Sequence, residues 1–261
     1  MLAGIGIAAG LVDTANLARH VRQPVRFTLR QAKRRRELGH YRLRDSGLVV
    51  FLRHNSPDMN TLDEIFSSGH YEPTEAVLEA LQSVSPPLEI VDLGANIGLF
   101  GVFALGRFPE ATILGFEPDP ANAELHERSI QANDAEGRWR LIRACAATAD
   151  GTVAFSGDGY TTGHVGEGER RLPAVDVFPF LQSVDLLKVD VEGAEWELLA
   201  DPRFAAVPAR VVALEYHPYL CPSADPRSLA HDLLERAGYE TADHELRGLP
   251  GQGMVWAWKS R

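Results

Sequence analysis

The stretch EIVDLGANIGLFGVFAL, Glu89 to Leu105, decides how the rest of the chain reads. Pro86 and Pro87 stand before it, and ATILGFEPDP, Ala111 to Pro120, follows after a short polar turn. Its first half is an apolar run of strand length. Its second half places Gly94, Gly98 and Gly101 within eight residues, where an ordinary helix or strand avoids glycine. The pattern predicts a buried strand to Leu93, a tight turn at Gly94 and a helix from near Ile97. Without side chains in the turn, a ligand can approach the backbone closely. Glu117 ends the next strand, and its carboxylate is suited to accept both hydroxyls of a ribose.

Outward from this turn the chain alternates. Strands are expected at TILGFEPD, RWRLIRACAA, GTVAFSG, DLLKVDVEG, ARVVALEYH and GMVWAWKS, with helices at PANAELHERSIQAN, AEWELLA and SLAHDLLERAG. Nearly continuous apolar strands separated by helices imply an α/β fold, a mostly parallel sheet covered on both faces. Such sheets bind ligands beyond the carboxyl ends of their strands. Upstream, HYRLRDSGLVVFLRH reads as two strands around Asp45-Ser46-Gly47, Thr61 as the cap of a short helix, and EPTEAVLEALQSV as another helix. The expected division is an N-terminal helical and β extension over residues 1–80, covering a substrate pocket, and a nucleotide-binding domain over 81–261.

Of the 261 residues, 45% are hydrophobic and 24% charged, the composition of a globular protein with a sizeable core. A net charge of −10 argues against a nucleic-acid backbone as partner. The basic run RQAKRRREL, Arg30 to Leu38, reads as a solvated helix face, with an anionic partner as the alternative. Cys145 and Cys221 form no close-spaced metal pair, and reduced thiols in a cytoplasmic protein are expected. The N-terminal apolar run lacks preceding basic residues and is interrupted by Asp13, so no stable membrane insertion is expected. A homo-oligomer is left open.

Two nucleotides suit the glycine turn, NAD and S-adenosylmethionine (SAM). A dinucleotide fingerprint carries glycine where this chain has Asn96. Asp92 adds negative charge, unwelcome beside a pyrophosphate but suited to the methionine ammonium of SAM, directly or through water. The residues lean towards SAM. Taken together, VDLGANIGLF, GFEPDP, Asn133, DLLKVDVEGAEWELL and LEYHP resemble the FkbM family of SAM-dependent methyltransferases, in order and in spacing. The resemblance runs from about Glu89 to the C-terminus. It implies a class I methyltransferase (Rossmann-like) fold, a seven-stranded sheet with an antiparallel last strand, and methylation of oxygen on sugars or secondary metabolites. It assigns Asp92, Gly94, Asn96 and Gly98 to the first SAM motif, and Glu117 to the ribose with Pro118 shaping the exit. Asn122 and Asn133 match positions around the second helix, and Asp190, Glu192 and Gly193 form the second signature.

In KVDVEGAEWE, Lys188, Asp190 and Glu192 alternate, and a strand regular to Glu192 would point all three to one side. The next strand ends in Glu215, Tyr216 and His217. A protonated hydroxyl is a weak nucleophile, so methyl transfer to it needs a base. His217 and Asp190 are the candidates, with Glu215 beside them. A satisfied strand-end histidine is the plain alternative for His217. No residue is assigned as a metal ligand; a Mg2+ on Asp190 and Glu215 that orients substrate hydroxyls is a further arrangement. Tyr160, Thr161, Thr162 and His164, with Glu192, His70 and Tyr71, are candidate substrate contacts. Acidic walls favour a neutral small hydroxylated metabolite, glycoside or amino sugar. N-methylation is the near alternative; an NAD-dependent oxidoreductase and a non-catalytic SAM-binding protein are the more distant ones.

Overall fold

The computed structural model describes residues 13–156, 164–165, 170–244 and 251–259, with the backbone alone at Phe155, Ser156, His164 and Val165. Two short helices, α1 (Thr14–Ala18) and α2 (Pro24–Ala32), lead into a hairpin of β1 (Glu37–Arg42) and β2 (Val49–His54), followed by α3 (Asp58–Phe66) and α4 (Glu75–Gln82). The α/β part then runs β3 (Glu89–Leu93), α5 (Leu99–Arg107), β4 (Thr112–Phe116), α6 (Pro120–Ala132) and β5 (Trp139–Ile142). Four strands come next: β6 (Cys145–Ala147), β7 (Gly151–Ser156), β8 (His164–Val165) and β9 (Arg170–Asp176). The chain continues with β10 (Leu186–Val189), α7 (Glu195–Ala200), β11 (Val211–Tyr216), α8 (Pro226–Arg236), β12 (Glu240–His244) and β13 (Gly253–Trp258).

Seven strands form one sheet in the order β12-β13-β11-β10-β3-β4-β5. β13 runs antiparallel to both neighbours, and the other registers are parallel. This is the class I, Rossmann-like arrangement with a reversed last strand. From β3 the chain winds outward through β4 and β5, then returns to the other side of β3 at β10. The crevice between β3 and β10 is therefore the topological switch point, where open α/β sheets take their ligands.

Alternation along the strands divides two cores. Ile90, Leu186, Val211, Ala213 and Trp256 join one cluster with α5 and the N-terminal layer, including Phe27, Leu52, Leu62 and Leu81. Val91, Leu93, Leu187, Val189, Val212 and Leu214 join the other with Trp196, Leu199 and Leu234 of α7 and α8. The N-terminal layer is bolted on by polar groups as well. Asn133 accepts from the Val49 amide at 2.7 Å and donates to the Val49 carbonyl at 2.8 Å. Arg53 donates to Asn122 at 2.6 Å and to the buried Asp58 at 2.8 and 2.9 Å. The helix expected after a Thr61 cap begins earlier, at Asp58, because Ser56 and Asp58 have already closed the preceding turn. Segments β6 to β9 form a separate four-stranded sheet, and β12 adds an edge strand that the sequence reading leaves out. Among the described residues no helix is long and apolar enough to cross a membrane.

Candidate active site

Beyond Leu93 the backbone turns at Gly94, whose φ of +81° is the left-handed region that an L side chain enters only with strain. A Cβ there would overlap the carbonyl oxygen of Asp190 and lie 2.8 Å from its carbonyl carbon, so glycine is what lets β3 and β10 close on each other. Asn96 is also left-handed, at φ +48°, a conformation that asparagine tolerates best among non-glycine residues. Its side chain accepts the Ile97 amide at 2.8 Å. The amides of Gly94 and Ala95 donate to the Phe116 carbonyl at 3.1 and 2.8 Å, and Gly98 donates to Ala95 at 2.9 Å. The Asn96 amide donates to Glu117 at 2.9 Å. Every backbone amide from Gly94 to Gly98 is thus satisfied inside the protein. A pyrophosphate needs such amides free.

Glu117 is buried at 6% exposure and takes two backbone donors, Asn96 and, at 2.8 Å, Asp119, with the Asn122 side chain as a third. A carboxylate offers about four acceptor sites, so capacity is left for a ribose hydroxyl. Burial pushes its pKa up to about 7 against the pull of these amides. Pro118 carries the chain from Glu117 to Asp119, which caps α6 through the amides of Ala121 and Asn122. The donor set fits an adenosine-bearing ligand held by its sugar.

Asp92 lies beneath the turn, 1% exposed, 3.0 Å from the buried Lys188 ammonium. Lys188 also donates to the Gly94 carbonyl at 3.1 Å and stands 3.3 Å from Asp190. The rings of Tyr71 and Phe100 flank it at 5.8 and 5.7 Å. Burial raises the Asp92 pKa, opposed by Lys188; burial also works against the Lys188 charge, but Asp92 and Asp190 outweigh it and raise its pKa. Removing either partner would leave an uncompensated buried charge. Asp92 is thereby tied to the turn through Lys188, which bridges it to the Gly94 carbonyl.

The strand carrying the second signature is regular only to Val189. Glu192 sits at φ +53° and Gly193 at φ +107°, so the expectation of one strand face through Glu192 is corrected. A tight turn instead folds the acids together. The fully buried Glu195 holds it, accepting the amides of Gly193 and His217, each at 2.7 Å. His217 has Nδ1 3.3 Å from Glu195 and Nε2 3.5 Å from Glu192 and 3.9 Å from Glu215. Glu215 accepts the Tyr71 hydroxyl at 3.0 Å and the Gln252 amide at 2.7 Å. Burial lowers the His217 pKa, but the Glu195 hydrogen bond and the Glu192 and Asp190 charges overturn that and lift it to about 10. With no metal ion beside it, this environment favours the protonated imidazole, a donor rather than an acceptor. Burial lifts Glu192 to about 8, and lifts Glu64 of α3 to about 8 with help from Glu215 and Asp190. Ligand atoms of Asp190, Glu192 and His217 all lie within 4.8 Å of one another, close enough to hold a divalent ion.

Sequence and structure meet unevenly here. Asp190, Glu192, Glu215, His217 and Tyr71 converge, while His70 lies with His244 and Asp63 as its charged neighbours. Tyr160, Thr161 and Thr162 fall outside the described residues, and His164 is described only as backbone of β8. Asn122 and Asn133 hold the N-terminal layer rather than a ligand. The sequence reading does not single out Glu64, Glu195 or Gln252. Glu195 carries a signal, an acid at the first helical position after the Asp190-to-Gly193 turn, whereas Glu64 and Gln252 reach the site only through tertiary docking.

A switch-point niche beside the buried Glu117 carboxylate, set in a seven-stranded sheet with a reversed last strand, is the arrangement of a class I methyltransferase fold. Residues 92–241 match the family model described as the Methyltransferase FkbM domain, and the chain belongs to that family. It is 27% identical over 187 residues to Methyltransferase 1 of Beauveria bassiana, covering 59% of this chain and 72% of that one. It is 28% identical over 206 residues to Methyltransferase sdnD of Sordaria araneosa, covering 62% and 78%. With 2-O-methyltransferase NoeI of Sinorhizobium fredii it shares 26% over 182 residues, covering 58% and 74%. The protein is a SAM-dependent methyltransferase of small molecules.

Proposed function

We propose that the enzyme methylates a hydroxyl oxygen of a small, hydroxyl-rich, neutral or cationic metabolite, a sugar or glycoside among them. The observation that carries this reading is the position of the acid cluster. Asp190 touches the glycine turn through its carbonyl and the cluster through its carboxylate, so proton acceptor and methyl donor share one wall. SAM, when bound, supplies an electrophilic methyl carbon on a cationic sulfonium. Glu117 and the Gly94–Gly98 turn hold its nucleoside end. Asp190, whose carboxylate stands 3.3 Å from the Lys188 ammonium, accepts the hydroxyl proton. Protonated His217 orients Glu192 and Glu215, which accept from neighbouring hydroxyls of the acceptor. Residues 1–80 act as the pocket cover: Tyr71 reaches Glu215, and the charges of Glu215 and Asp190 act on Glu64. The negative wall disfavours phosphorylated or carboxylated acceptors. The name of the Sinorhizobium relative, a 2-O-methyltransferase, agrees with oxygen as the acceptor atom.

The test is methyl transfer from labelled SAM to a panel of neutral sugars, glycosides and amino sugars, with the product bond located by mass spectrometry. Asp190→Asn is expected to lower turnover by at least about 100-fold while the demethylated donor still binds. A variant with normal turnover, or products methylated only on nitrogen, refutes the proposal. One second reading has support, a Mg2+ bound by Asp190, Glu192 and His217 that acidifies the hydroxyl. Chelator treatment separates the two, since activity that survives it removes the metal.

A further inference from the structure

The face of α2 turned away from the core is built unlike the rest of the molecule. Pro24 opens the helix, and Phe27, fully buried, fixes one side of it against Tyr41 and His54, ring centroids 5.1 and 5.0 Å away. Gln31, one turn on, bonds His54 at 3.0 Å. The opposite side is therefore committed to solvent, yet it carries Val25 and Leu29, 70% and 62% exposed and one turn apart. Arg22, Arg26 and Lys33 are exposed along the flank of this apolar pair. A wide, shallow depression of about 650 Å³ lies over the same side chains, remote in sequence from the strand-end site.

Charge sets this face apart too. Eight of the chain's 26 lysines and arginines fall between Arg19 and Arg36, a stretch without one Asp or Glu, in a protein of net charge −10. Glu37 is the acid that follows, and it pairs with Arg30 and Lys33 at 3.1 and 3.0 Å. A solvated helix face explains the cations but not two large aliphatic side chains projecting among them. An acidic protein partner would match the cations and leave the aliphatic crest to a pocket it must supply. An anionic bilayer matches both at once: headgroups take the guanidinium groups, and the acyl boundary takes Val25 and Leu29.

We infer that α2 is a peripheral docking element for anionic lipid headgroups, holding this methyltransferase reversibly on a membrane surface. The inference does not depend on the acceptor or on the acid cluster. Attachment is interfacial: the nine residues of α2 are too few to span a bilayer, and no helix among the described residues is long and apolar enough to do so.

Vesicle co-sedimentation of the full chain tests it. Vesicles of phosphatidylcholine alone are compared with vesicles containing about one part in three phosphatidylglycerol. Binding is expected to the anionic vesicles alone, and to be lost at about 0.5 M salt, where the screening length is only a few ångströms. Each removed cation is expected to weaken partitioning about fivefold, so Arg22→Gln/Arg26→Gln/Lys33→Gln together weaken it about 100-fold. Leu29→Ser is expected to weaken it about tenfold. All four positions lie on the exposed face, and both variants should keep the wild-type melting temperature and donor affinity. Failure to bind anionic vesicles, equal binding to neutral ones, or binding indifferent to salt and to both variants overturns the inference. A concentration-dependent dimer abolished by Leu29→Asp, with no vesicle binding, assigns the face to a second copy and overturns it as well.

Discussion

Replacing Gly94 by alanine isolates the feature on which the donor niche is built. The left-handed backbone at φ +81° costs an alanine about 1–2 kcal/mol. The new methyl group would also stand 2.8 Å from the Asp190 carbonyl carbon, closer still to its oxygen, where ordinary contact begins at 3.4 Å. That neighbour is backbone, anchored by the Asp190 amide to Leu93 at 3.0 Å, and it cannot rotate aside. Overpacking of this kind adds about 1–3 kcal/mol, for a total of about 2–5 kcal/mol. In a domain of this size that is a fall in melting temperature of roughly 4–20 °C. Because β10 must move to make room, Asp190 moves with it, and turnover should fall further than stability. Gly137 supplies the internal control. A methyl group there would meet no atom within 4 Å and the backbone is not left-handed, so Gly137→Ala should be neutral or slightly stabilising. Thermal melts and donor titrations of the two variants decide the matter. If Gly94→Ala melts and binds like Gly137→Ala, the close approach of β3 and β10 is not what shapes the niche.

Glu117→Gln removes a charged acceptor while keeping the shape, and should weaken S-adenosylhomocysteine binding about 10- to 100-fold by calorimetry. Wild-type affinity should rise with pH towards about 7, where burial places the Glu117 pKa, and then level off; the variant should lose that dependence. Stability of chelator-treated, ligand-free protein should move the other way. Burial raises Glu117 to about 7 and Glu192 and Glu64 to about 8, from 4.5, so the folded state holds protons the unfolded chain has released and stability falls as pH climbs through that window. His217, raised to about 10, stabilises fully below its unfolded value of 6.5 and loses that contribution as pH rises to 10. Burial lowers His54 and His126 to about 4, which erodes stability below 6.5. Between pH 6 and pH 9 the raised acids and His217 outweigh the two lowered histidines, so melting temperature should decline across that interval; a rise would contradict the assignments.

What the sequence makes legible is local. The strand, turn and helix around Gly94 follow from an apolar run broken by glycines, and β3, β4, β10, β11 and β13 each announce themselves by apolar character between punctuating residues. The Asn96 argument against a dinucleotide also stands on local grounds, and the structure strengthens it by showing the turn amides already spent. What escapes is set by tertiary contact. Nothing in LDEIF marks Glu64 as facing Glu215 and Asp190, because that proximity arises only when α3 packs over the sheet. Lys188 reads as a strand-end charge, yet it is a buried ammonium whose partners Asp92 and Gly94 lie on the neighbouring β3 and the turn that follows it. His217 has the proton affinity of a base in water; the surrounding acids, invisible as a group in sequence, turn it into a cation. Glu192 breaks the alternation because a left-handed residue cannot be foreseen from a strand pattern.

The central claim is that the turn after β3 accepts a nucleoside by its sugar and offers no amide cradle for a pyrophosphate. Titration calorimetry of the wild-type protein with S-adenosylhomocysteine, and separately with NAD, tests it most directly. One-site binding of S-adenosylhomocysteine with no heat from NAD is the predicted result. Saturable binding of NAD, with S-adenosylhomocysteine silent, would contradict it.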